Sequence, residues 1–172
     1  MQSRITGFYP CGKNLAFVDL FAYASRGIPG LEIVGIGKLG RSIKEKFNFF
    51  SKIYKVKIPA KRYVLCIDIK EVPKNSDDLS FLELPLLILF WSLADILPIK
   101  NLNHCIASGK LNVSGNLYLP SFEEEYRENF KYYLENNEYC LLTHQASMLD
   151  ESYKIINIEN ILGDYFKVST IK

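Results

Sequence analysis

The pattern of apolar and polar positions divides the chain into short blocks of two different periods. Residues 3–11 and 14–25 read as strands; in the second, Phe17, Asp19, Phe21 and Tyr23 alternate with Val18, Leu20, Ala22 and Ala24, the period-two signature of a sheet. Gly27-Ile28-Pro29-Gly30 reads as a turn, because proline presets φ and glycine admits positive φ. Residues 31–36 follow as a short apolar strand. From Leu39 to Lys55 the period lengthens: Leu39, Ile43, Phe47, Phe50 and Tyr54 recur at helical spacing with Lys and Arg between them.

Pro59 ends that helix, and residues 63–69 form the fourth strand. After a polar loop, an apolar helix spans 80–97, with Ser80 and Glu83 at the spacing of a capping box. Two short strands around 104–119, a polar helix near 121–136, strands at 138–142 and 153–157, and a last helix over 158–166 complete the pattern. Early antiparallel strands followed by crossover helices predict a single α+β domain over residues 1–172. Its expected form is a two-layer sandwich, a mixed sheet with helices packed on one face.

Composition fits a folded domain: 48% of the residues are hydrophobic and 23% charged, which argues against a disordered chain and against a coiled coil. The net charge of +2 selects no partner. Cys11, Cys66, Cys105 and Cys140 form no CxxC pair, and His104 and His144 stand at no ligand-like spacing to them. Buried, reduced thiols and no metal are expected. The apolar run from Leu79 to Leu97 contains Glu83, Pro85 and Asp95, so it reads as a buried core helix rather than a membrane span. No signal peptide is evident in the first 25 residues, and a cytoplasmic location is expected.

Two segments imitate nucleotide-binding loops. Gly7-Phe8-Tyr9-Pro10-Cys11-Gly12-Lys13-Asn14 fits GxxxxGK but lacks the Ser or Thr that would ligand Mg²⁺. It is followed by an alternating strand instead of a helix, so a hairpin turn is expected. Gly35-Ile36-Gly37-Lys38-Leu39-Gly40 fits GxGxxG between a strand and a helix. The acid expected about 20 residues on to hold a ribose is missing; the first in the next strand is Asp68. A dinucleotide enzyme using Gly35, Gly37 and Gly40 therefore stands as the alternative reading, and no cofactor is expected.

Five segments, in order, carry a family resemblance. They are Arg26-Gly27-Ile28-Pro29-Gly30 with Ile33-Val34-Gly35, Ile58-Pro59-Ala60-Lys61-Arg62, Leu82-Glu83-Leu84-Pro85, Ala107-Ser108-Gly109-Lys110-Leu111, and Ser114-Gly115. Together they resemble the N-terminal domain of the Mg-chelatase-like (competence-type) AAA+ family, from about residue 4 to 120. That resemblance implies a fold like the proteolytic domain of Lon proteases. It departs from the family at Cys66-Ile67-Asp68-Ile69-Lys70-Glu71 and at Leu79. No Walker motor occurs before Lys172, so no ATP-driven activity is expected.

The Lon-type reaction needs a Ser nucleophile and a desolvated Lys base. The resemblance puts Phe81 at the nucleophile and Glu124 at the lysine. Ser80, one residue away, would face Glu123, Glu124 and Glu125, and is read as a helix cap. A non-catalytic domain is expected.

The strongest local charge signal lies between Lys38 and Arg62, where nine basic residues stand against one acid, Glu45. Lys38, Arg41, Lys44, Lys46, Lys52 and Lys55 on the first helix are the candidate residues for nucleic acid or a protein partner. The bland alternative is a solvated lysine face. Glu123, Glu124, Glu125 and Glu128 suit the first turn of the third helix through its dipole. The same acids could meet another copy's basic helix. Expected partners are a separate AAA+ motor subunit, a second copy, or nucleic acid.

Overall fold

The computed structural model describes residues 1–70, 73, 75, 77–120, 128, 130, 131, 139–144 and 154–171. A two-residue hairpin opens the fold. β1 (Gln2–Cys11) and β2 (Asn14–Ser25) pair antiparallel from Gln2↔Tyr23 to Cys11↔Asn14. Gly12 takes φ +63° in the turn, a conformation that glycine reaches without steric cost. The GxxxxGK lookalike is this hairpin.

A parallel crossover follows: β3 (Gly30–Val34), helix α1 (Lys38–Ile53) and β4 (Arg62–Asp68). β4 inserts between its predecessors, antiparallel to β2 and parallel to β3. A 3₁₀ turn, Asp78–Leu82, then leads into α2 (Glu83–Leu93). The rest of the chain supplies β5 (Cys105–Ala107), β6 (Lys110–Leu111), β7 (Asn116–Pro120), β8 (Cys140–Thr143), β9 (Ile155–Asn157), α3 (Glu159–Leu162) and β10 (Lys167–Ile171). The main sheet runs β3-β4-β2-β1-β5-β8-β9, and a second sheet runs β10-β7-β6. The α+β class with a mixed sheet is as the sequence predicts.

The buried core helix expected from the apolar run is present as α2, and two other features differ from the expectation. All eleven residues of α2 are buried, because the helix packs on β1 and β2 while its other side meets the chain around the second sheet. Phe90 touches Tyr63 of β4 and Phe47 of α1, and the Trp91 ring stands 4.9 Å from that of Tyr165. A helix apolar all round belongs in such an enclosed place. Among the described residues, no helix is long and apolar enough to cross a membrane.

The sheet is also covered on both faces at one end. Phe8, Ile106 and Leu141 cluster with Phe130, whereas their neighbours Tyr9, Ala107 and Leu142 belong to the main core with α1 and α2. Adjacent strand residues point to opposite faces, so Phe130, which is helical, lies across the sheet from α1. Among the described residues, α1 and α2 keep to one face and Phe130 does not. At the other end of that second face, Phe21 and Tyr23 stay exposed.

The second difference is at the C-terminus. The helix expected over 158–166 shrinks to the four residues of α3, and residues 167–171 form β10, parallel to β7. The two strands expected around 104–119 are three, with β5 in the main sheet and β6 and β7 in the other. Of the polar helix expected near 121–136, Glu128, Phe130 and Lys131 are helical, and the remainder lies outside the described residues.

Candidate functional site

α1 carries the charged candidates, and helix geometry sorts them. Gly40, Ile43, Phe47 and Phe50 form its buried stripe. At 100° per residue, Arg41 and Lys44 fall on the flank beside β3, and two further residues carry Lys46 some 200° around to the opposite flank. Lys38, Arg41, Lys52 and Lys55 are exposed and Lys44 is half-buried. Among the described residues, none of these five has an ion-pair partner. From Lys38 to Lys44 the rise is about 9 Å, and Lys52 lies about 12 Å farther along.

Lys46 does not join them. Its Nζ donates to Glu83 Oε1 at 2.6 Å and to the Leu111 carbonyl at 2.9 Å, while Glu83 Oε2 accepts the Leu111 N–H at 2.8 Å. Glu83 is only 3% exposed, so its charge needs these partners. The ammonium thus ties α1 to the start of α2 and to β6, and is withdrawn from the surface the charge count assigned it. The sequence held a signal for this: a carboxylate set early in an apolar run calls for a partner.

The start of α2 also revises the role of Ser80. Its hydroxyl donates to the Asp77 carbonyl at 2.5 Å and caps no helix N–H. The 3₁₀ turn brings the chain into α2 already coiled, so no extended cap residue exists there. The Gly109 carbonyl instead accepts the Leu84 N–H at 3.0 Å. Glu83, the second half of the expected capping box, is engaged with Lys46 and Leu111. Phe81, at the position the resemblance gives a nucleophile, is buried under Lys110, whose Nζ is 4.5 Å from the ring centre. Glu123, Glu124 and Glu125 lie outside the described residues, and Glu128 is exposed.

The glycine loop before α1 has structural causes. Gly35 adopts φ +109°, and a Cβ there would stand 2.3 Å from the Ile67 carbonyl oxygen. Gly40 lets α1 approach β3, since a Cβ would stand 3.0 Å from the Ile33 carbonyl oxygen. A dinucleotide lies across the crevice where strand order reverses; β3 is instead an edge strand, with a neighbouring strand on one side only.

A groove of about 400 Å³ runs along that edge. Leu31, Glu32 and Ile33 form one wall, Gly40, Arg41 and Lys44 the other, and Ile28 stands at one end. Glu32 is already paired, its Oε2 accepting from Arg62 Nη2 at 2.8 Å, so the unopposed charge in the groove is positive. A second depression of about 470 Å³ lies under Pro59 and Lys61, with Lys52 and Glu45 on its rim. Of the six predicted residues, Arg41 and Lys44 meet in the first groove and Lys52 borders the second; Lys38 is exposed where α1 begins and Lys55 just past its end.

Of the four thiols expected to be buried, Cys105 is, Cys66 and Cys140 are half-buried, and Cys11 is exposed in the hairpin. Among the described residues no three His, Cys, Asp or Glu side chains gather as a metal site would need. Cys105 and Cys140 face each other in register on β5 and β8. Burial pushes the Cys105 thiol up to about 11, with Cys140 adding to it. Its raised value favours the neutral thiol in the fold, so that contribution is full below the ordinary thiol range and fades as pH climbs toward 11. Burial raises Tyr9, Tyr54 and Tyr63 as well. Stability is therefore expected to fall through this alkaline window in a denaturant series. At a pH of about 8, alkylation should reach exposed Cys11 first and Cys105 only on unfolding.

Comparison of the chain with protein-family models finds no match, and neither does comparison with curated proteins.

Proposed function

We propose that the chain is a non-catalytic interaction module that receives an anionic partner on the β3 flank of α1. The observation that carries this reading is the row of Lys38, Arg41 and Lys44, in which no cation is neutralised by a described residue while Glu32, the acid beside them, is taken by Arg62. Unopposed cations cost self-repulsion in the folded state, and an anionic ligand relieves it.

We further propose kinship with the N-terminal domain of the Mg-chelatase-like AAA+ family and a Lon-type fold, with a separate motor subunit or a second copy as possible assembly partners. The quoted segments support it by falling at junctions of the fold. Arg26–Gly30 leads into β3, Pro59–Arg62 into β4, Leu84-Pro85 opens α2, and Ser108-Gly109 links β5 to β6. The absence of a nucleophile at Phe81 supports a binding role, and the hydroxyl of Ser80 is directed to a backbone carbonyl.

Retention on an immobilised polyanion such as heparin tests the reading. The chain should elute at higher salt than a Lys38→Glu, Arg41→Glu, Lys44→Glu triple variant, because each lost contact lowers the salt slope by about one. Equal elution of the two proteins defeats the proposal.

A further inference from the structure

The groove beside β3 offers more than charge. The Gly30 N–H donates to the Lys61 carbonyl of the β4 side at 3.1 Å. In a parallel ladder alternate residues bond the same neighbour, so Gly30, Glu32 and Val34 turn their backbone groups to β4. The N–H and C=O groups of Leu31 and Ile33 consequently point away from β4, on the side of the groove that these residues line; Gly40 of α1 already lies against the Ile33 carbonyl, which leaves the Ile33 N–H and both groups of Leu31. An open edge is a template for one more strand. Natural edges are blunted by charged side chains, proline, a bulge or shortness; β3 is short, but its one charge, Glu32, is held by Arg62, and it lacks proline and pairs with β4 without a break in register.

We propose that this edge binds an extended acidic peptide as an eighth strand, its carboxylates on the α1 side meeting Arg41 and Lys44. The inference rests on the anionic-partner reading and names the partner's class. Ile28, 88% exposed at the end of the groove, supplies an apolar contact beyond the last carboxylate. A nucleic acid fits less well: a phosphate backbone accepts hydrogen bonds but cannot donate to the outward carbonyl of Leu31, whereas a peptide does both. A second copy fits less well too. Two β3 edges paired about a two-fold axis would place both α1 helices on one face of the joined sheet, with two sets of Arg41 and Lys44 across a single seam.

The test uses the full chain and a blocked peptide of alternating Val and Asp, about seven residues long, titrated by calorimetry. Binding that weakens with salt and with Arg41→Glu plus Lys44→Glu is expected. The same peptide N-methylated at alternate residues should bind at least about tenfold more weakly, since two backbone hydrogen bonds are lost. Ile33→Pro removes one outward N–H without touching the β4 ladder, and should weaken the parent peptide while leaving heparin retention unchanged. If the N-methylated peptide binds as well as its parent, the edge is not used and the inference fails. Absence of peptide binding with heparin retention intact also overturns it and spares the broader reading. Loss of both overturns both. An oligothymidylate that binds more tightly than the peptide makes the partner a nucleic acid and defeats the inference.

Discussion

Glu83→Ala is expected to destabilise the chain by about 3 kcal/mol, seen as a lowered denaturant midpoint at unchanged slope. Glu83 is the hub at which α1, α2 and β6 meet: its two oxygens take the Lys46 ammonium and the Leu111 N–H. Truncation leaves both donors facing an apolar start of α2, and an unsatisfied buried donor costs more than a made bond contributes. Lys46 retains partial access to solvent, its side chain being 21% exposed, which keeps the cost near the lower end for a broken buried pair. The double change Lys46→Met, Glu83→Leu should recover part of the loss, because a buried pair replaced by apolar groups is often neutral. The Leu111 N–H still lacks an acceptor there, so recovery is incomplete. A single-variant cost below about 1 kcal/mol, the range of an exposed pair, would show that the ammonium and carboxylate are solvated.

Gly35→Ala is expected to cost about 3–4 kcal/mol, combining a backbone conformation reserved for glycine with overlap against β4. Its φ is +109°, and the new methyl would stand 2.3 Å from the Ile67 carbonyl oxygen, a backbone atom that no rotamer change can move aside. Gly37→Ala is the matched control. Gly37 has φ +54° and ψ −127° with nothing within 4 Å of a Cβ, so only backbone strain of about 2 kcal/mol is expected, without overlap. Thermal melts of the two variants measure the difference. Equal, small effects would return the loop to ligand binding as the reason for its glycines.

The two experiments mark where reading the chain succeeded and where it could not. The first four strands and α1 were legible to within one or two residues at each end, because alternation and the 3.6-residue period are local properties. α2 was legible as a buried helix for the same reason, its apolar run being too long for a strand. β10 was not, since Lys167, Ser169 and Thr170 are exposed and the strand is held by its pairing with β7 rather than by an apolar pattern. At the surface, nine cations between residues 38 and 62 announced a basic segment. The count did not reveal that Arg62 is matched to Glu32, 30 positions earlier in the chain, or Lys46 to Glu83, 37 positions later. Charge partners distant in sequence have no local signature.

What the amino-acid sequence determined by itself is the α+β class, the order of the early elements, the hairpin hidden in a phosphate-loop lookalike, and the basic character of α1. These follow from near-neighbour sterics and periodicity, which act before the chain is folded. Only the tertiary structure decided which cations remain at the surface, that β3 lies at an edge of the sheet, and which segments enclose α2. Each depends on which segments come into contact, and burial, pairing and strand order exist only once distant parts of the chain have been brought together.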